Sequence, residues 1–114
     1  MTLQVEDRGS IMVIQVQEER IDAAGAIAFK DKMRDATASD HTRVILDLSN
    51  VRFLDSSGLG AVVASIKAVG NARKMELAAL TPAVEKVFQL TRLNTVFKIH
   101  ASVEDALTKN AAAR

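Results

Sequence analysis

The stretch Asp55-Ser56-Ser57-Gly58-Leu59-Gly60 places a carboxylate, two hydroxyls and two glycines where an apolar strand-like run gives way to a helix-like run. The first amides of a helix have no intrahelical partner. One serine can therefore cap the helix, and a phosphate on a serine would meet free N–H groups and the positive end of the helix dipole. Phosphorylation adds roughly −1.5 to −2 charge and three acceptor oxygens, which the neighbouring Asp55 would repel. Gly58 and Gly60 clear side chains from around the hydroxyls and leave room for a large partner. The stretch reads either as a helix cap alone or as a hydroxyl that another protein modifies and then recognises. A serine nucleophile of the chain's own would need a base and a group to orient it. The only histidines are His41, in a loop before the central strand and at the far end of the sheet from Ser56, and His100, after the last strand. No acid is evidently placed to orient His100, and both histidines read as solvated loop residues. The leading glycine of a nucleophile elbow is missing, and no P-loop lysine follows. Glu18, Glu19 and Asp22 cluster without the partner ligands that would specify a cation, so no metal or cofactor is expected.

The chain has 114 residues, of which 48% are hydrophobic and 25% charged, with a net charge of +1. These values fit one folded domain over residues 1–114. With aromatics at 4%, the core must be aliphatic. The near-zero charge supplies no broad field for nucleic acid or an anionic membrane, and the lack of Tyr and Trp argues against base stacking. The absence of cysteine excludes disulfides and thiolate sites and is compatible with a reducing, cytoplasmic setting. No basic and apolar leader opens the sequence, and no apolar run approaches the ~20 residues needed to span a bilayer. Neither direct nucleic-acid binding nor membrane insertion is expected.

The elements that must position the central stretch follow from periodicity. Leu3 to Asp7 and Ile11 to Val16 flank Arg8-Gly9-Ser10 as a hairpin, with Met12, Ile14 and Val16 on one face. Asp22 can cap a helix starting near Ala23, on which Ala26, Phe29, Met33 and Ala36 share a side. Arg43 to Leu48 suits a central strand covered on both faces. After the motif, Leu59, Val62, Val63, Ile66 and Val69 form a helical stripe, ended by Gly70-Asn71. Met75 to Leu80 reads as a strand, Thr81-Pro82 as N-cap and first helical residue, and Val84, Val87 and Phe88 as the buried side of that helix. Val96 to Ile99 reads as a short last strand. Ser102 with Asp105 resembles a capping box for a final helix, and the tail 109–114 is expected to fray. Lys30-Asp31-Lys32 and Arg73-Lys74 read as solvated faces. The fold class is α/β: a mixed, mostly parallel β-sheet with an N-terminal hairpin, packed with about four α-helices. Sites in such folds tend to lie beyond the carboxyl ends of strands, where Asp22, Asp55 and Thr81 all fall.

At these residues the sequence resembles the bacterial anti-sigma factor antagonists (anti-anti-sigma factors) built on the STAS domain. Their Asp-Ser-Ser/Thr-Gly-Leu-Gly motif stands intact at Asp55 to Gly60. Arg20-Ile21-Asp22 matches the family's strand exit, Thr81-Pro82-Ala83-Val84 with Val87-Phe88 matches its third-helix segment, and Leu93 with Val96-Phe97 matches the approach to the last strand. The resemblance covers nearly the whole chain and implies a STAS fold and a partner switch. The unmodified protein would bind an anti-sigma factor serine/threonine kinase. The kinase would phosphorylate Ser56 and release the protein, and a phosphoserine phosphatase would reset it. Asp55, Ser57 and Gly58 would support the phosphosite, with Asp55 orienting or activating the acceptor and Ser57 as neighbouring cap. Asp22, Leu59, Gly60, Thr81 and Pro82 would form the docking surface. The chain would be a substrate rather than an enzyme. One departure stands at Glu19, where the family usually has glycine, which predicts a different local turn. The alternative is a non-switching STAS interaction subunit of a lipid-trafficking ABC transporter or a stress-sensing assembly.

Overall fold

The computed structural model describes residues 1–69 and 73–112. Two sheets organise it. The larger has the order β1 (Leu3–Arg8), β2 (Ile11–Val16), β4 (Arg43–Asp47), β6 (Lys74–Ala78) and β7 (Ile99–His100). β1 and β2 form the antiparallel hairpin, turned at Gly9 with φ +76°, and every other pairing in this sheet is parallel. The smaller sheet pairs two two-residue strands in parallel, β3 (Arg20–Ile21) and β5 (Phe53–Leu54). The helices are α1 (Ala26–Ala36), α2 (Ser56–Val69), α3 (Pro82–Leu90) and α4 (Val103–Ala112), with a 3-10 turn at Leu93–Thr95. This is the expected mixed α/β class, and no helix among the described residues is long and apolar enough to cross a membrane.

Alternation along the strands divides the core between the two sheet faces. Met12, Ile14, Val16, Val44, Leu46, Met75 and Leu77 face α1, α2 and α3 and pack with Phe29, Met33, Val62, Val84 and Phe88. Val13, Ile45 and Ala78 face the other way and pack on Ala106 of α4. β4 lies mid-sheet and is buried at every position, so its apolar run reflects cover on both sides, as expected. The small residues of α2 are redistributed relative to the predicted stripe. Gly58, Ala61, Val62, Ser65 and Val69 are buried, whereas Leu59, Val63 and Ile66 are half-buried. Small side chains let α2 settle close to its neighbours, and the larger ones line the flanks.

Two strand boundaries differ from expectation by two residues or more. β6 ends at Ala78 because Ala79 enters the left-handed region at φ 61°, a conformation that costs an L-residue roughly 1–2 kcal/mol. The last strand is Ile99–His100 rather than Val96–Ile99. The amides of Val96 and Phe97 both donate to Leu93 O, at 3.1 and 3.0 Å, so the 3-10 turn consumes the donors a strand would need. The final capping box forms by halves, with Asp105 N–H donating to Ser102 Oγ at 2.9 Å. The helix stop expected at Gly70-Asn71 lies outside the described residues. α4 reaches Ala112 within the predicted tail, whose last two residues also lie outside them.

His100 is not a solvated loop residue. It sits in β7 at 4% exposure and donates from Nε2 to Glu76 Oε1 at 2.8 Å. The same carboxylate oxygen accepts from Arg43, whose Nε lies 3.1 Å away, and Arg43 also donates to Ala106 O of α4 at 2.9 Å. A carboxylate buried in a strand requires such partners, and this cluster ties β4, β6, β7 and α4 together. His41 is also held, between Ser39 Oγ at 2.8 Å and Asp7 at 3.1 Å, and Asp7 is kept below the usual carboxylate range chiefly by that His41 hydrogen bond.

Burial pushes Glu76 upward, but hydrogen bonds from Arg43 and His100 outweigh it and hold the carboxyl below its ordinary value. A depressed folded-state value means that the stabilisation is complete above the ordinary glutamate range and is lost as pH falls through the lowered value. Glu76→Gln should therefore cost about 3 kcal/mol in urea unfolding at pH 7, as for one partner removed from a buried pair. The gap from the unaltered protein should close as the pH is taken below 4.5. A gap independent of pH would contradict this assignment.

Candidate functional site

Most of the predicted site residues, Asp22 and Asp55 through Gly60, follow the carboxyl ends of the paired strands β3 and β5, whereas Thr81 and Pro82 stand at the start of α3. Ile21 and Leu54 are register partners, so the residues that follow them, Asp22 and Asp55, emerge side by side. Asp55 Oδ1 accepts the Gly58 N–H at 2.8 Å, and its carbonyl accepts the Leu59 N–H at 2.8 Å. This is N-cap geometry at the start of α2. Asp55 Oδ2 accepts the Ala23 N–H at 3.2 Å, which ties the loop leading into α1 to the start of α2. Ser57, expected as a cap, is instead the second residue of the helix and is exposed, as is Ser56, the first. The Asp55 carboxylate is bonded to backbone amides rather than to a serine hydroxyl, so its observed work is capping and bridging.

The two glycines also separate. Gly60 is exposed, and a Cβ built on it would meet nothing within 4 Å, consistent with the open approach expected there. Gly58 is buried, and a Cβ there would overlap the carbonyl of Ile21. Its missing side chain lets α2 approach the β3 backbone and does not clear space for a partner. Leu59 is half-buried and packs against the core.

Asp22 does not cap α1 directly. The helix begins at Ala26 with Gly25 at its cap, and Asp22 closes the preceding turn, accepting the Gly25 N–H at its carbonyl (3.0 Å) and at Oδ1 (3.3 Å). Arg20 Nε donates to Asp22 Oδ2 at 3.0 Å, and the Arg20 guanidinium lies 4.5 Å from the ring centre of Phe53, which is 44% exposed. The Arg20 hydrogen bond, with help from the amides of Gly25 and Ala24, holds the Asp22 carboxyl below its usual range. Thr81 does occupy the N-cap position of α3, with Pro82 following. Its hydroxyl makes no cap bond and donates instead to Val51 O at 2.6 Å, which pins α3 to the segment entering β5. Pro82 is exposed. The chain bends at Glu19, whose carbonyl accepts the amides of Arg52 (2.7 Å) and Phe53 (3.1 Å); the only non-glycine residues at positive φ among those described are Ala79 and Arg92.

Sequence reasoning gave no positioning role to Arg20, Phe53 or Val51. Two-residue strands have no period to detect, so nothing marked β3 and β5 as partners. Arg73, read as solvated, donates to the carbonyls of Thr37 and Ser39 at 2.7 and 2.8 Å.

Gly58→Ala should destabilise the protein by about 3 kcal/mol, because backbone rather than a movable side chain blocks the new Cβ. Gly60→Ala should be neutral or stabilising by up to ~1 kcal/mol through helix propensity. Thermal unfolding of the two variants checks the contrast, and equal losses would contradict it.

The STAS domain profile matches residues 2–106. The anti-sigma-F factor antagonist RsfB of Mycobacterium tuberculosis is 29% identical over 108 residues, spanning 95% of this chain and 88% of that protein. The crystal structure of an anti-sigma factor antagonist from Mycobacterium paratuberculosis superposes with a TM-score of 0.85 at 30% identity, covering 95% of this chain and 92% of that one. The anti-sigma factor antagonist SpoIIAA in its unphosphorylated form gives 0.73 at 26% identity, with 97% of each chain covered. The sheet order, the motif at the start of α2 and these likenesses agree: the chain belongs to the STAS domain family.

Proposed function

We propose that this protein is an anti-sigma factor antagonist in a partner-switching pathway. The unmodified form binds an anti-sigma factor that is a serine/threonine kinase. The kinase transfers the γ-phosphoryl group of ATP to Ser56 Oγ; ADP leaves and the hydroxyl proton passes to a base on the kinase. The phosphorylated form is released, and a phosphatase hydrolyses the ester to restore it. In this cycle the chain is substrate and antagonist, not catalyst.

The observation that carries the reading is the division of labour at the start of α2. Asp55 performs the capping, which leaves Ser56 exposed on the first residue of the helix. A serine needed for the cap would be tied to the backbone; this one is free to be modified. The names of the three relatives described above, each an anti-sigma factor antagonist, support the same reading. The proposed docking surface takes in Asp22, Leu59 and the open Gly60 next to Ser56, together with Thr81 and Pro82 at the start of α3.

Electrostatics supplies the release. A phosphate on Ser56 would share its neighbourhood with the carboxylates of Asp55 and Asp22, the latter held ionised by Arg20. Taking a dianion into a closely packed interface without a cation costs several kcal/mol, and each ~1.4 kcal/mol is tenfold in affinity. Titration calorimetry with the cognate kinase should find Ser56→Ala within about threefold of the unaltered protein. Ser56→Asp should bind at least tenfold more weakly. Equal affinities for the two variants would contradict the charge-release reading.

A further inference from the structure

Among the described residues, no strand covers the outer edge of the first half of β6. β4 follows β6 from Lys74 to Ala78, but β7 pairs with it only at Leu77 and Ala78. Lys74 N–H donates to Thr42 O on the β4 side at 3.0 Å, and Leu77 N–H donates to Lys98 O on the β7 side at 2.9 Å. Peptide groups of a strand in a parallel sheet alternate between its two neighbours. The N–H and C=O of Met75 therefore face away from β4, where no strand among the described residues stands.

A groove of about 580 Å³ runs along this edge. Its apolar lining is Ile66, Met75 and Phe97, and its rim carries Lys67, Lys74 and Lys98, all three exposed. The two other charged lining residues are engaged elsewhere: Arg73 holds the carbonyls of Thr37 and Ser39, and the Glu76 carboxylate is turned under α4 to Arg43 and His100. Among the described residues, the groove thus offers three ammonium groups without an acidic partner, an apolar floor and an unpaired strand edge. Lys67 stands on α2, against one face of the sheet. Lys74 lies on the other face, two residues from Glu76. Successive residues of an added strand point to opposite faces, so adjacent acids would reach a lysine on each side.

We infer that the β6 edge is a second docking surface, which takes an extended acidic segment of a protein partner by strand addition. It goes beyond the switch at Ser56. Lys67 lies near the far end of α2, about 16 Å from Ser56 along the helix axis at ~1.5 Å per residue, so both surfaces can be engaged at once.

The test uses a fluorescein-labelled heptapeptide, Thr-Val-Asp-Glu-Val-Thr-Gly, added to the full chain. Fluorescence anisotropy should show binding that weakens with salt, and amide NMR should show the perturbation centred on Met75. Lys67→Glu combined with Lys98→Glu should weaken binding at least tenfold, with amide dispersion confirming the fold, whereas Lys32→Glu should not change it. A peptide N-methylated at alternate positions along its pairing edge should fail to bind. Ser56→Asp should leave binding unchanged, which separates this surface from the switch. No binding, retained binding by the N-methylated peptide or by the double variant, or perturbation confined to the Ser56 end would overturn the inference.

Discussion

The close approach of α2 to the backbone of β3 is the constraint from which the site follows. Gly58 has no room for a Cβ against the Ile21 carbonyl, and this contact fixes how far α2 sits from the β3–β5 pair. At that distance one residue, Asp55, can cap α2 through Gly58 and also hold the Ala23 amide of the loop into α1. With a larger residue at position 58 the helix would have to retreat, and the bridge would lengthen with it. Because the carboxylate does this work, the two hydroxyls that follow are left at the surface. The exposure of Ser56 is thus a consequence of packing one turn deeper.

Much of this was legible in the residues. Hydrophobic periodicity placed the hairpin, the central strand and the buried faces of α1 and α3, because long amphipathic elements repeat their pattern often enough to be seen. Phe29, Met33, Val84 and Phe88 are buried as their spacing implies. The motif's location at a strand-to-helix junction was also readable. What was not readable is contact between segments distant in sequence. Serine and aspartate are comparable capping residues, so the choice of Asp55 over Ser57 depends on geometry. Gly58 and Gly60 look equivalent in sequence, yet one faces Ile21 and the other faces solvent. The buried Arg43–Glu76–His100 cluster left one trace: Glu76 interrupts an apolar run between Met75 and Leu77. A carboxylate in a strand covered on both faces requires a buried cation, and that signal could have pointed to Arg43.

The sheet separates two kinds of charge. On the α4 face, Glu76 and its partners are buried and structural, and they tie the last helix to the central strands. At the carboxyl ends of β3 and β5, Asp22 and Asp55 stand near the surface, where an added phosphate would feel them. The first arrangement resists change because its charges are matched and enclosed. The second is sensitive to change because Arg20, the cation beside Asp22, is already engaged by that carboxylate and lies over Phe53.

The most direct measurement of the central claim is the position of the phosphate. The protein would be incubated with its cognate serine/threonine kinase, ATP and magnesium, and then analysed by intact mass and by fragmentation of the peptide spanning Asp55 to Gly60. The account predicts one added phosphate, located on Ser56. Modification on Ser57 alone, or none at all with a kinase shown to bind, would contradict it.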